Sequence, residues 1–584
     1  MERVKQTTTT ESKHPTRDFS YLGIHSKAIK HLSTKFKLCP YNSLIHINRN
    51  PASPFQFLQN NQQCTLRTIS LIQDLTKSQE IKDKVKASGI NPPLWTLGHI
   101  AYFYESNVLD VLNASKTNLH SSSIFFEGND RKELFDSIRI DRKERCNSSW
   151  NDALRYYFSV KEDLKLFITA TMNDSNEDDC VNQYLLTYAI IHEHWHIEDL
   201  WCTLKKLLLP PVDVLETRLE SNIYGTKSDV ISCQILTANN NVQSQEDQDR
   251  NGTGRSVTTT TTTATTTAAA TTTTTAAAES SETISNNGAI ETDESKWCRI
   301  TGGSYLLGAK KDTDPFVFDH EKWEHKVEVD TFDIARVPVT NIEYLEFVKK
   351  DGYNIRKHWS LEGWRWKANN NITCPKYWVK PIDETKLKSG STTSSRNSSN
   401  SSNSSNSKWK VHNFDQIMNL PLDHPVAHVS WYECEAYCNW LGGGCRLPTE
   451  AEWEIAAVGL EKNRRYPWGR VFENSTPNHH RANIDLVHLG TVSVNEYSNG
   501  DSIESQCRQM CGNVWEWTAT TFYPYPGYVM DWPYRENSCP WFGFSKVAKG
   551  GAWSTTSNLS HSTHRNFYEP GGRREVPLGF RTVR

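Results

Sequence analysis

Two histidines in the run IHEHWHIED have the spacing of a metal-binding pair. His192 and His196 are four residues apart, so on a helix both imidazoles lie on one face and can bind the same ion. His194 lies roughly 200° around the helix from His192, and Glu198 roughly 200° from His196, so neither is expected to be a ligand. The pattern predicts a metal site on one helical face.

A third candidate ligand, His99, stands in the apolar run LWTLGHIA, next to a glycine that would permit close helix approach. A lone histidine in such a place is more often a core residue bonded to a backbone carbonyl. Beside the pair His192 and His196 in the same group of helices, we interpret it as the third ligand. Three neutral imidazoles suit Fe(II), Zn(II) or Cu(II), and an open coordination side suits oxygen chemistry.

The same run also matches the HExxH pattern of zinc hydrolases, with Glu193 as the general base. The extended form of that pattern needs glycine at 199 and histidine at 202, where this chain has Asp199 and Cys202. A later third ligand, Glu216 or Glu220, would follow a proline break that makes the geometry awkward. A zinc hydrolase is therefore the second hypothesis.

Helical periodicity from Cys64 to about Leu209 predicts an antiparallel four-helix bundle that positions these histidines. Its expected helices include Leu71 to Val85, Leu94 to Leu112 with Asn91 as cap, Trp150 to Met172, and Gln183 to Leu208. From Lys296 onward, short strands, turns and aromatic pairs predict an irregular α+β domain with helices at Trp431–Leu441 and from Thr449. The fold class is α + (α+β).

Composition sets the domain boundaries that we expect. Residues 1–60 form a poorly ordered extension and 61–225 the bundle, followed by a Thr/Ala linker at 226–295 and the second domain at 296–584. A Ser/Asn insertion at about 388–408 interrupts that domain. Both low-complexity tracts are too polar to bury a core, so they are interpreted as spacers.

The bulk composition excludes several classes of partner. Lys plus Arg is 65 and Asp plus Glu is 68, so the net charge of -3 gives no pull toward nucleic acid or anionic membrane. There is no apolar run of about 18 residues and no signal-peptide core. The 14 cysteines include no CxxC pair, which is typical of reduced thiols. A cytoplasmic protein is expected, and its oligomeric state is left open.

Several motifs together resemble the sulfoxide synthases of ergothioneine and ovothiol biosynthesis. They are the Gly-His pair at His99, the HxxxHxE pattern from His192 and, later in the chain, ITGGSYLLG, FVFDHE, RLPTEAEWE, GNVWEW, GGAW and GFR. The resemblance implies a DinB-like bundle followed by a formylglycine-generating-enzyme-like, C-type-lectin-like domain. RLPTEAEWE and GNVWEW are expected to cap helices and fill the core.

The resemblance implies a reaction and its substrates. His99, His192 and His196 would bind Fe(2+), and O2 would drive formation of a C–S or C–Se bond on the imidazole of hercynine or histidine, from a thiol or selenol donor. The wording around His99, with LFDSxR ending at Arg139 and FDxEKW from Phe318, is similar to the selenoneine synthase branch. Arg139 is accordingly a candidate substrate-binding residue.

The run RNFYEPGGRR from Arg565 resembles the family's carboxy-terminal substrate loop. The resemblance assigns Asn566 to the imidazole substrate and Arg573 or Arg574 to the carboxylate of the sulfur donor. Phe567 and the next residue replace a Trp-Asp pair of some relatives, and one extra residue precedes the arginines. Phe567 is a further candidate for substrate contact.

A tyrosine near the iron donates a proton in many such enzymes, which makes Tyr528 and Tyr534 the candidates here. Each is equally well explained as a core or turn tyrosine. The stretch Gly551 to Arg565 contains no cysteine, which argues against the copper–thiolate chemistry of formylglycine generation. A non-catalytic lectin-like binding module with inert histidines is the third hypothesis.

Overall fold

The computed structural model describes residues 79–88, 91–113, 134–135, 145, 150–171, 178–208, 296–310, 316–381, 408–459, 464–470, 481–531 and 537–584. Within these ranges, no helix is both long enough and apolar enough to cross a membrane. The expected extension at 1–60, the linker at 226–295 and most of the Ser/Asn insertion lie outside the described residues.

The amino-terminal part is helical. Helix α1 is Gln79–Ser88 and α2 is Pro93–Tyr104, which continues through a π-helical turn, Glu105–Leu109, into α3, Asp110–Asn113. Helix α4 is Trp150–Thr171 and α5 is Asp178–Lys206. Helix α2 packs against both α4 and α5. Helices therefore lie where the periodicity predicts them, whereas the DinB-like assignment of the group stays a prediction.

The expectation that Asn91 caps the second helix is wrong. Helix α2 begins at Pro93 after Pro92, whose ring can make no side-chain cap. Pro92 occupies the cap position and Pro93 the first helical position, where the fixed φ of proline suits the helix and its missing N–H is not needed. The Asn91 amide oxygen instead accepts a hydrogen bond from Arg145 Nη1 at 2.7 Å.

The carboxy-terminal domain consists of short strands in small sheets. The strands are β1 Trp297–Ile300, β2 Gly303–Leu307, β3 His325–Val329, β4 Phe332–Ala335, β5 Trp378–Val379, β6 Lys410–Asn413, β7 Gln416–Asn419, β8 Trp515–Thr521, β9 Lys546–Lys549, β10 Asn566–Tyr568 and β11 Leu578–Gly579. The largest sheet has the order β10-β9-β8-β11, with β11 parallel to β8 and the other pairs antiparallel.

The domain also contains four helices: α6 Asn341–Lys349, α7 Leu361–Asn369, α8 Trp431–Leu441 and α9 Glu450–Val458. Helix α9 packs against β2, β3, β8 and β9, and α8 packs against α6 and α7. Helix α8 has the predicted bounds. Thr449 caps α9 through a capping box with Glu452, and Trp453, Trp515 and Trp517 are almost completely buried. The expected structural role of RLPTEAEWE and GNVWEW is therefore confirmed.

Helix α5 connects the candidate metal ligands to the carboxy-terminal domain. At its amino-terminal part, the Tyr184 hydroxyl donates to the Asp531 carboxylate. Farther along, the Glu198 carboxylate accepts hydrogen bonds from Trp515 Nε1 and Thr555 Oγ1, both at 2.9 Å. These buried polar contacts hold helix α5 against the lectin-like domain. They therefore fix the orientation of the helix face that carries His192 and His196.

Candidate metal centre

The three predicted histidines meet in the structure. The ring centroids of His192 and His196 are 4.5 Å apart, and that of His99 lies 5.2 Å and 5.0 Å from them. His192 Nε2 and His196 Nε2 are separated by 3.2 Å. Two nitrogens that each lie about 2.0–2.1 Å from one ion would be roughly 3.0–3.4 Å apart, so this spacing fits a shared metal.

His99 is held in the orientation that a ligand needs. Its Nδ1 lies 2.8 Å from the Phe135 carbonyl oxygen, where it can donate a hydrogen bond and so leave Nε2 for a metal. Trp95 stacks on the imidazole at 4.8 Å. A Cβ on Gly98 would lie 2.1 Å from the Phe135 ring. Glycine at this position therefore lets Phe135 pack closely against helix α2.

The electrostatic setting favours neutral imidazoles. The pKa of His192 lies well below its ordinary value because the ring is buried and faces His196 and His99. Loss of solvation lowers the pKa of His196 to about 4. Neutral imidazole is the form that binds metal, so His192 and His196 fit a divalent ion. His196 keeps partial solvent access whereas His99 and His192 are buried, which places the open side of the centre at His196.

Glu193, the general base of the hydrolase hypothesis, is occupied elsewhere. Its carboxylate accepts hydrogen bonds from the hydroxyls of Tyr104 and Tyr157, both at 2.7 Å, and from Lys161 Nζ at 2.8 Å. Only 1% of Glu193 is exposed. A carboxylate with three donors inside the helical group is poorly placed to activate a metal-bound water.

His194 and Glu198 of α5 face the carboxy-terminal domain. His194 Nδ1 lies 3.1 Å from Thr556 Oγ1, which agrees with its predicted position away from the ligand pair. Burial raises the pKa of Glu198, and the hydroxyl and indole donors around its carboxylate oppose that rise. These two residues therefore serve contacts between the domains.

Strand β10 presents the predicted substrate loop. Asn566 Nδ2 donates to the Tyr568 hydroxyl at 2.8 Å, so these two side chains lie together on one face of the strand. Phe567 lies on the other face, where it stacks on Phe522 at 4.1 Å. Phe567 therefore packs in the core. The face of the strand that carries Asn566 and Tyr568 remains the candidate surface for substrate binding.

The two loop arginines have different partners. Arg573 Nη2 donates to Asp199 on α5, one turn beyond His196, and the side chain is 39% exposed. Arg574 Nη2 donates to Glu433 Oε1 at 2.9 Å and is only 12% exposed. Arg574 therefore anchors the loop to α8, which leaves Arg573 as the arginine beside the metal centre.

Of the two predicted proton donors, the structure describes Tyr528. The Tyr528 hydroxyl donates to Asp319 Oδ2 at 2.8 Å and contacts Ser538 Oγ at 3.0 Å. Burial and the Asp319 carboxylate raise the Tyr528 pKa, so the phenol keeps its proton. Tyr534 and Arg139 lie outside the described residues.

Three aromatic residues near the histidines were not predicted. Phe103 stacks on His192 at 3.7 Å, and the half-buried Trp195 stacks on Phe318 at 4.8 Å. Trp195 also meets His192 edge to face, with the ring centroids 6.4 Å apart. A tryptophan between two candidate ligands was the available signal, but Phe318 comes from another domain and only the folded chain brings it here.

Comparison with known proteins agrees with this architecture. The model of the sulfatase-modifying factor enzyme 1-like domain matches residues 283–584. A hercynine oxygenase from Mycobacterium tuberculosis is 34% identical over 281 residues, 47% of this chain and 58% of that protein. One from Mycolicibacterium thermoresistibile is 33% identical over 285 residues, which is 56% of its length. The chain thus spans just under three fifths of these relatives.

A formylglycine-generating enzyme from Streptomyces coelicolor is 35% identical over 287 residues, which is 47% of this chain and 82% of that enzyme. The carboxy-terminal domain therefore has the C-type-lectin-like fold of that family. The chain belongs to the sulfatase-modifying factor enzyme 1-like family, and its hercynine oxygenase relatives fit the ergothioneine and ovothiol sulfoxide synthases that the motifs resemble.

Proposed function

We propose that this chain is an iron(II)- and O2-dependent oxygenase that forms a C–S or C–Se bond on the imidazole of hercynine or histidine. The observation that carries the proposal is the convergence of His99, His192 and His196, with 3.2 Å between two of their nitrogens. The relatives named hercynine oxygenase supply the substrate class. When bound, Fe(2+) would supply the site at which O2 is reduced.

The chain's own residues would bind and orient the substrates. The hydrogen bond of His99 Nδ1 to the Phe135 carbonyl fixes the direction of Nε2 before any metal binds. The aromatic rings around the histidines, Trp195 and Phe318 among them, would attract a trimethylammonium group. Asn566 can hydrogen-bond an imidazole, and Arg573 can pair with the carboxylate of an acidic donor.

The competing functions account for fewer of these contacts. A zinc hydrolase needs a free Glu193, yet that carboxylate is held by two tyrosines and a lysine. Formylglycine generation needs thiols that Gly551 to Arg565 does not contain. A binding module does not require three neutral imidazoles around one point.

The direct test is oxygen uptake after anaerobic iron loading. Hercynine and histidine are each offered with cysteine, γ-glutamyl-cysteine or a selenol donor, and the products are identified by mass spectrometry. We expect uptake that depends on Fe(2+) and on both substrates, and a product in which the chalcogen is bonded to the ring. Peptidase activity with bound zinc, or substrate affinity without oxygen uptake, would replace the proposal with one of the other functions.

Replacing Asn566 with alanine should weaken hercynine binding while iron content stays unchanged. Loss of a half-buried amide bond costs about 1–3 kcal/mol, which is roughly 5- to 150-fold in affinity. Titration of the iron-loaded variant measures the effect. Asn354→Ala, at an exposed position in the same domain, is the matched control. Equal affinity in both variants would remove β10 from the substrate site.

A further inference from the structure

A second cluster of metal-ligand types lies inside the carboxy-terminal domain. Glu321 ends a short 3-10 turn, and His561 and His564 precede strand β10. One potential ligand atom from each lies within 4.8 Å of the others. The three residues are 0%, 3% and 1% exposed, respectively. Neither the sequence motifs nor the named relatives account for this grouping.

The hydrogen bonds of the cluster leave one ring nitrogen without a partner. Glu321 Oε1 lies 2.5 Å from His564 Nδ1 and accepts from the Arg565 backbone N–H at 3.2 Å, and the other oxygen accepts from the Phe318 backbone N–H at 3.1 Å. His561 Nδ1 contacts Thr563 Oγ1 at 2.9 Å. His564 Nε2 is buried and makes no hydrogen bond. A buried polar atom of this kind is costly unless something else satisfies it.

The nearby cations are paired with other carboxylates. Arg565 donates through Nε and Nη2 to the two oxygens of Glu450, at 2.7 Å and 2.9 Å. Lys549 Nζ donates to Glu454 at 2.9 Å. His564 is therefore the side chain paired with Glu321, and His561 lies beside them. A buried carboxylate beside two imidazoles offers a cation three donor groups.

We propose that Glu321, His561 and His564 form a second metal site, which takes a divalent first-row transition metal ion. Two imidazoles and one carboxylate are a donor set that zinc and ferrous ions use in proteins. Because the cluster is closed to solvent, its ion would join the turn at Glu321 to the segment that leads into Asn566. The site is separate from the iron site of the proposed function and does not depend on it.

The full-length, untagged His192→Ala variant tests this proposal, because it lacks one ligand of the first site. After loading with Zn2+ and removal of loosely bound ions, we expect a retained ion by mass spectrometry and a higher melting temperature than in the metal-free protein. His192→Ala/His561→Ala/His564→Ala should lose the ion, whereas His192→Ala/His488→Ala, changed at an exposed histidine, should keep it.

Two results would overturn the second site: no zinc or iron retained by His192→Ala, or an ion that survives the loss of both His561 and His564. If the triple variant does not fold, Glu321→Gln in the His192→Ala background provides the comparison, because it keeps the size of the side chain. Co2+-loaded His192→Ala should also show visible absorption bands, and their absence would count against the site. None of these measurements uses oxygen uptake, so failure of the oxygenase proposal would be seen separately.

Discussion

Replacing His192 with alanine is expected to remove metal from the first site and oxygen uptake with it. Structural zinc sites bind with on the order of 10–16 kcal/mol, so one ligand contributes roughly 3 kcal/mol, or at least about 100-fold in affinity. In the proposed three-histidine centre, the other two side chains cannot enclose the ion once the nitrogen 3.2 Å from His196 Nε2 is gone. Iron titration and oxygen uptake measure the two losses.

His194→Ala is the matched control, because it removes the same side chain two residues away on α5. Its imidazole contacts Thr556 in the other domain, so iron content and oxygen uptake should remain near those of the unaltered protein. The corresponding changes at His99 and His196 should behave like His192→Ala. An iron-replete His196→Ala variant together with an iron-free His194→Ala variant would contradict the assignment of the ligands.

The helical face of the candidate site could be predicted because it follows from local geometry. Residues four apart share a face on any helix, so the pairing of His192 with His196 needs no knowledge of the fold. The helices themselves follow from apolar periodicity. For Trp431–Leu441, the predicted first and last residues are the observed ones. Capping boxes at Thr340, Ser430 and Thr449 are equally local, because each cap and its glutamate are three residues apart.

Partners distant in sequence could not be predicted. Arg574 and Glu433 are 141 residues apart, so nothing local shows that this arginine is committed to α8 while Arg573 is beside the metal centre. The orientation of His99 depends on a carbonyl 36 residues away. The HExxH pattern likewise gives the position of Glu193 in the sequence. It does not show that three donors from other parts of the chain bind its carboxylate.

The second large effect is expected at Glu193. Changing it to alanine leaves the Lys161 ammonium without its carboxylate and two buried tyrosine hydroxyls without their acceptor. Removing one partner of a buried charge pair costs roughly 3–5 kcal/mol. Desolvation lowers the Lys161 pKa, and the Glu193 carboxylate opposes this effect. The charged form of the lysine therefore depends on that carboxylate. Denaturant unfolding should show the free energy of unfolding falling by about this amount.

The isosteric change Glu193→Gln separates stability from chemistry. The amide keeps the shape but not the charge, so we expect part of the stability loss, and Glu193→Gln/Lys161→Met should recover some of it because no unpaired ammonium remains. Glu162→Gln, at an exposed position on α4, is the matched control and should be neutral. Folded Glu193→Gln should retain iron and oxygen uptake, because its carboxylate supports the helices rather than the reaction. A folded, iron-loaded Glu193→Gln variant that takes up no oxygen would contradict this expectation and assign the carboxylate a part in the reaction.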